Sequence, residues 1–140
     1  MSDQLISDGT YAVRGPYGHL TAHTALPGMA MLEPDDSSAQ QWKVAAESGG
    51  HTVRNVATGL YLGNDGPPDD PQMTVKGTST PFIWTMSAGD DGRETTLVLT
   101  SAASSDGLVL TMSMLRTLPP LVAILPSGSY STIEWSFDAV

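Results

Sequence analysis

Tryptophan recurs in this sequence at a nearly constant distance after a short apolar segment that begins with glycine. The distance from the leucine of each segment to the tryptophan is 22, 22 and 25 residues, for the pairs Leu20 and Trp42, Leu62 and Trp84, and Leu110 and Trp135. A recurrence of this kind is typical of internally repeated folds, in which no single unit can bury its apolar face alone. The sequence therefore predicts three similar blocks that share one core.

Short β-favouring segments, separated by turn residues rich in glycine, proline and aspartate, fill the chain. No stretch of twelve or more residues keeps a helical period without such a break. The pattern predicts about a dozen short strands, at residues 10–14, 18–21, 29–32, 42–44, 52–56, 60–62, 73–76, 82–86, 96–99, 108–112, 121–125 and 133–137.

Three blocks of four strands, with one tryptophan in each, add up to an all-β protein with the β-trefoil fold. Six strands can close a barrel that has no free edge, and the other six can cap one end of it as hairpins. We expect a single domain over residues 1–140, with repeats at about 8–47, 48–91 and 92–140. The opening strands of the repeats are predicted to centre on Val13, Val53 and about Val98.

Charge and composition exclude several classes of partner. Fifteen acidic against six basic side chains give a net charge of -9, which disfavours binding to nucleic acid and to anionic membranes. The absence of cysteine removes disulfides, thiol catalysis and zinc-finger ligation. No apolar run approaches the ~20 residues of a membrane span, and the first residues lack the pattern of a signal peptide. We expect a cytoplasmic protein without nucleic-acid partner or membrane insertion.

Motifs of catalysis and metal binding are missing from the sequence. It contains no Gly-x-Ser-x-Gly, no His-Glu-x-x-His and no phosphate-binding glycine loop with a lysine. His19 and His23 lie four residues apart without an evident third ligand, and the acidic pairs at 35–36, 69–70 and 90–91 lack calcium-loop spacing. We therefore expect neither an enzyme nor a metal site nor a cofactor.

Two segments resemble known β-trefoil families. Gln40 and Trp42 fit the Gln-x-Trp signature of ricin-B-like trefoils, whereas Phe82 and Ile133 take the glutamine position in the other blocks. Residues 53–63 resemble the strand, short turn and Gly-x-Tyr-Leu segment shared by those lectins and by fungal β-trefoil protease inhibitors. The cysteine-free, acidic chain is especially similar to the mushroom inhibitors. This resemblance implies a binding protein that acts through its loops.

The resemblance to lectins implies a particular sugar site. Ricin-type sites place an aspartate directly after the leucine of the second strand, where its carboxylate accepts hydrogen bonds from two sugar hydroxyls. The residues at that place here are Thr21, Gly63 and Thr111, and none of them is acidic. A lectin of this sequence would need an atypical site, for which the candidates are Tyr61, Asn64 and Asp65.

The resemblance to inhibitors implies an exposed, rigid loop, since rigidity reduces the entropy lost on binding. Residues 113–120 fit in composition, because two prolines restrict the end of the segment. Arg116 could enter a trypsin-like S1 pocket, whose aspartate would pair with it, or it could simply solubilise an apolar loop. The protease-binding residues are predicted to be Leu115, Arg116, Thr117 and Leu118.

A second candidate loop spans residues 126–132, with Ser127, Gly128, Ser129 and Tyr130 as its contact residues. The sequence thus predicts a non-enzymatic binding protein. The first hypothesis is a reversible inhibitor whose partner is a serine protease. The alternative is a ricin-B-like lectin whose partner is a glycan.

Overall fold

Twelve β-strands make up most of the described structure, a computed structural model of the chain. The structure describes residues 7–15, 18–22, 30–32, 38–47, 50–63, 75–88, 96–101, 108–112, 122–126 and 135–140. The strands are β1 Gly9–Gly15, β2 Gly18–Thr21, β3 Ala30–Leu32, β4 Gln41–Glu47, β5 Gly50–Asn55, β6 Tyr61–Gly63, β7 Lys76–Thr78, β8 Trp84–Ala88, β9 Thr96–Ser101, β10 Leu108–Met112, β11 Val122–Pro126 and β12 Trp135–Ala139. One 3-10 turn, Ser38–Gln40, precedes β4. None of the described segments is a helix that could cross a membrane.

Six of the strands close a barrel. Antiparallel pairing runs in the order β1, β4, β5, β8, β9 and β12, and returns from β12 to β1. The hairpins β2/β3, β6/β7 and β10/β11 are attached through their first strands to β1, β5 and β9. This arrangement confirms the predicted β-trefoil, and its ring of six strands has no free edge.

The strand register repeats from block to block. Each tryptophan lies opposite one residue of the opening strand of its block, in the pairs Trp42 and Tyr11, Trp84 and His51, and Trp135 and Leu97. Two residues further along the opening strands lie Val13, Val53 and Leu99, which are all fully buried. The third opening strand is therefore centred on Leu99, and the expected centre at Val98 is wrong by one residue. Such a shift exchanges the two faces of a strand.

The three tryptophans form the centre of the core, as predicted. Each has 0% exposure, and each indole N–H donates a hydrogen bond to the backbone oxygen of the leucine in its own block. The nitrogen-to-oxygen distances are 3.0, 2.9 and 3.1 Å, for Trp42 to Leu20, Trp84 to Leu62 and Trp135 to Leu110. This bond accounts for the leucine-to-tryptophan spacing in the sequence.

One strand extends beyond its predicted range. We expected a strand at residues 73–76, but β7 spans Lys76–Thr78 and pairs with β6. β7 includes Gly77, where a Cβ atom would lie 2.6 Å from Cβ of Leu60. The strand can pass this close to Leu60 only at a glycine, a residue that in the sequence reads as a strand breaker. Every strand thus overlaps its predicted range.

Candidate functional site

The three positions at which the resemblance implies a sugar-binding aspartate all lie inside the fold. They are Thr21, Gly63 and Thr111. Thr21 is 1% exposed and Thr111 is 3% exposed, and Gly63 is buried as well. The Thr21 hydroxyl donates to the backbone oxygen of His19 at 2.9 Å and accepts from Nε2 of Gln40 at 3.1 Å. These positions therefore support the fold and do not present side chains to a ligand.

Gly63 has no space for any side chain. A Cβ atom built on it would lie 2.4 Å from Cγ of Phe82, well below normal contact distance. Phe82 takes the place that Gln40 has in the first block, and its ring packs against Trp84 with 5.0 Å between the centroids. An aspartate at position 63 would have to displace this ring. The carboxylate of the ordinary site is therefore sterically excluded from the second block.

The turn between β5 and β6 is fixed to the core by Asn55, which is 1% exposed. Its Oδ1 accepts the backbone N–H groups of Ala57 and Thr58 at 3.0 and 3.1 Å. Its Nδ2 donates to the backbone oxygen of Ala39 at 2.9 Å. The turn returns through Gly59, whose positive φ of 72° suits a residue without a side chain. These bonds give the turn one well-defined conformation.

Arg54 lies beside this turn and is held at two points. Its Nε donates to the backbone oxygen of Gly59 at 2.8 Å, and its Cζ lies 5.3 Å from the ring centroid of Tyr61. This distance is within the range of a cation–π interaction. Arg54 is exposed, whereas Tyr61, its register partner on β6, is half-buried. The terminal NH₂ groups of the guanidinium form no hydrogen bond to the described residues.

Lys43 on β4 extends this arrangement, because it is the register partner of Arg54. Directly opposed residues of antiparallel strands project from the same face, so Lys43, Arg54 and Tyr61 form a row across three strands. We call these three residues the basic row. Its face of the barrel is the outer one, since the alternate residues Val44 and Val53 are buried. Among the described residues the one ion pair joins other side chains, so neither cation of the row has a carboxylate partner there.

Of the predicted site residues, the structure describes Tyr61. It is half-buried in a strand and lies next to Arg54, which the sequence analysis did not single out. Ten further predicted residues lie outside the described residues, namely Asn64, Asp65, Leu115, Arg116, Thr117, Leu118, Ser127, Gly128, Ser129 and Tyr130. The signal for the basic row was present as Trp42-Lys43-Val44 and Val53-Arg54-Asn55, in which a cation alternates with buried residues.

The family of the chain follows from a model described as ricin-type beta-trefoil lectin domain-like. This model matches residues 38–116, which is more than half of the chain and includes the whole basic row. The chain therefore belongs to the ricin-type β-trefoil lectin domain-like family. A comparison with curated protein sequences gave no match.

Solved structures agree with this assignment of the fold. The ricin B-like lectin of Macrolepiota procera in complex with lactose is 18% identical, with a TM-score of 0.79 and coverage of 98% of this chain and 99% of that chain. The Rhizoctonia solani agglutinin is 19% identical, with a TM-score of 0.76 and coverage of 96% and 97%. The designed threefold symmetric protein ThreeFoil is 15% identical, with a TM-score of 0.72 and coverage of 95% and 100%. These likenesses show that the chain shares the fold of these proteins. The family match agrees with the lectin alternative, and none of these comparisons supports protease inhibition.

Proposed function

We propose that the protein is a lectin that binds glycans on the outer surface of its second block. The observation that carries this proposal is the family match over residues 38–116, which includes Tyr61 and the rigid turn beside it. The structural neighbour from Macrolepiota procera was solved in complex with lactose, which makes lactose a suitable first probe.

The surface around Tyr61 offers what a sugar requires. An aromatic ring provides an apolar platform with a polar hydroxyl, and Arg54 adds hydrogen-bond donors at a fixed position. Arg54 lies over one face of the ring, so a sugar would contact the phenol edge and the guanidinium together. Since Gly63 cannot carry a carboxylate, we assign the role of acceptor to Asp65, with Asn64 beside it.

A glycan array with the labelled protein tests the proposal, followed by titration calorimetry with the strongest glycan and with lactose. We expect Tyr61→Ala to weaken binding by about tenfold, which corresponds to about 1.4 kcal/mol. Tyr61→Phe keeps the ring and loses the phenol hydroxyl, so it should weaken binding less than Tyr61→Ala does.

Thr85→Ala is the control for these variants, since Thr85 is exposed on β8 and that strand does not pair with β6, which carries Tyr61. It should bind as the wild type does. Urea unfolding of each variant verifies that the fold is intact. A wild-type protein that binds no glycan on the array would refute the lectin proposal, and normal binding by Tyr61→Ala would move the site to another block.

A further inference from the structure

The pairing of Lys43 with Arg54 is a charge conflict within the sheet. Like charges directly opposite each other on antiparallel strands destabilise the pair. The chain has 15 acidic and 6 basic residues, so two adjacent basic side chains are unusual for it. No carboxylate of the described residues lies within ion-pair distance of either cation. Local conflicts of this kind are expected where a protein binds something.

The side chain of Arg54 is also held in one conformation in the free protein. Its Nε donates to the backbone oxygen of Gly59, and its Cζ lies 5.3 Å from the ring centroid of Tyr61. Asn55 fixes the turn that carries Gly59. A side chain fixed in this way loses little conformational entropy on binding. Its terminal NH₂ groups can donate two parallel hydrogen bonds, a geometry that matches a carboxylate or another planar pair of anionic oxygens.

We propose that the basic row binds the anionic group of an acidic glycan, either a carboxylate or a sulfate. In this arrangement Arg54 donates hydrogen bonds to the anionic oxygens, Lys43 supplies the second positive charge, and Tyr61 contacts the sugar ring that bears the group. A single anionic sugar fits better than a long polyanion, because a net charge of -9 repels an extended phosphate chain. The inference rests on the proposed lectin function and specifies its substrate class.

The test compares matched glycans by calorimetry: lactose, sialyllactose as the carboxylate probe and sulfated lactose as the sulfate probe. We expect at least one acidic probe to bind about tenfold more tightly than lactose, a value set by the strength of charge-assisted hydrogen bonds at an exposed site. Preference for one acidic probe over the other identifies the anionic group. Raising the salt concentration should weaken the acidic probes and leave lactose unchanged.

Lys43→Gln should reduce the affinity for the acidic probe by about tenfold and leave lactose binding unchanged. Arg54 also contacts the neutral sugar in the proposed site, so Arg54→Gln should weaken the acidic probe by about tenfold more than it weakens lactose. Arg14→Gln is the matched control, since Arg14 is paired with Asp138 at 3.1 Å away from the row, and it should affect neither probe. Lys43→Gln gives an independent readout in the free protein, because removal of the repulsion should leave the urea midpoint the same or higher.

Two outcomes separate this inference from the lectin proposal. Equal binding of lactose and both acidic probes, unaffected by Lys43→Gln, would refute the role of the basic row and leave the lectin function standing. Absence of binding to every glycan on the array would refute both. A fall in the urea midpoint of Lys43→Gln would contradict the charge conflict on which the inference depends.

Discussion

Replacement of Gly63 by alanine should destabilise the protein, because the added methyl group has no space beside Phe82. The new Cβ would lie 2.4, 2.6 and 2.7 Å from Cγ, Cβ and Cδ2 of Phe82, whereas carbon atoms in normal contact are about 3.5–4.0 Å apart. The ring must therefore move by about 1 Å, away from its place on Trp84. Overpacking of this kind typically costs about 1–3 kcal/mol.

A double-mutant cycle tests the cause. Phe82 is half-buried, so Phe82→Ala should cost about 2 kcal/mol, less than the 3–5 kcal/mol typical of a fully buried ring. If the two changes acted independently, the double variant would lose about 4 kcal/mol. We expect a loss of about 2 kcal/mol, because the methyl group of Gly63→Ala occupies space that the ring has left.

Urea unfolding followed by tryptophan fluorescence measures these differences, since all three tryptophans are buried. Gly9→Ala is the control, because a Cβ on Gly9 meets its nearest atom, Cε2 of Tyr11, at an ordinary 3.5 Å. Additive losses in the cycle, or equal losses for Gly63→Ala and Gly9→Ala, would show that Phe82 does not exclude a side chain at position 63. The steric reason given for the missing aspartate would then be wrong.

Three further changes test the core and the turn. Trp84→Phe removes the hydrogen bond to the Leu62 oxygen and leaves that carbonyl buried without its donor, so thermal unfolding should show a loss of about 2–4 kcal/mol. Asn55→Ala removes the bonds that fix the β5–β6 turn and should cost about 1–3 kcal/mol in urea unfolding. His51→Leu should stabilise the protein by about 1 kcal/mol, because both ring nitrogens of His51 are buried and have no hydrogen-bond partner among the described residues. The third block has Leu97 at this register position. No gain in the unfolding midpoint would contradict that last explanation.

The repeated architecture could be predicted from local sequence because its signals are local. Strands of four or five residues between turn residues, and a tryptophan at fixed distance from a leucine, are visible without any knowledge of tertiary contacts. The extension of β7 to Thr78 and the centre of β9 could not be predicted in this way. The first depends on the contact between Gly77 and Leu60, and the second on which face of β9 turns toward the tryptophans.

Less of the candidate site than of the fold could be predicted from the sequence. Tyr61 could be selected because its Gly-x-Tyr-Leu segment resembles a known pattern. Lys43 and Arg54 lie eleven positions apart, and only the register between β4 and β5 places them opposite each other. The hypotheses on Arg116 and on Tyr130 stay predictions, since both residues lie outside the described part of the chain.

The pairing of β1 with β12 has a consequence for the order of folding. These two strands join the first block to the third, with Val13 opposite Phe137, so the barrel can close only after the last strand has been synthesised. Until then one side of β1 offers unpaired backbone groups to any other extended chain. Pairings between distant segments also form slowly, because the entropy of the long intervening loop is lost first. A newly made chain is therefore most exposed to aggregation in the period before β12 closes the barrel.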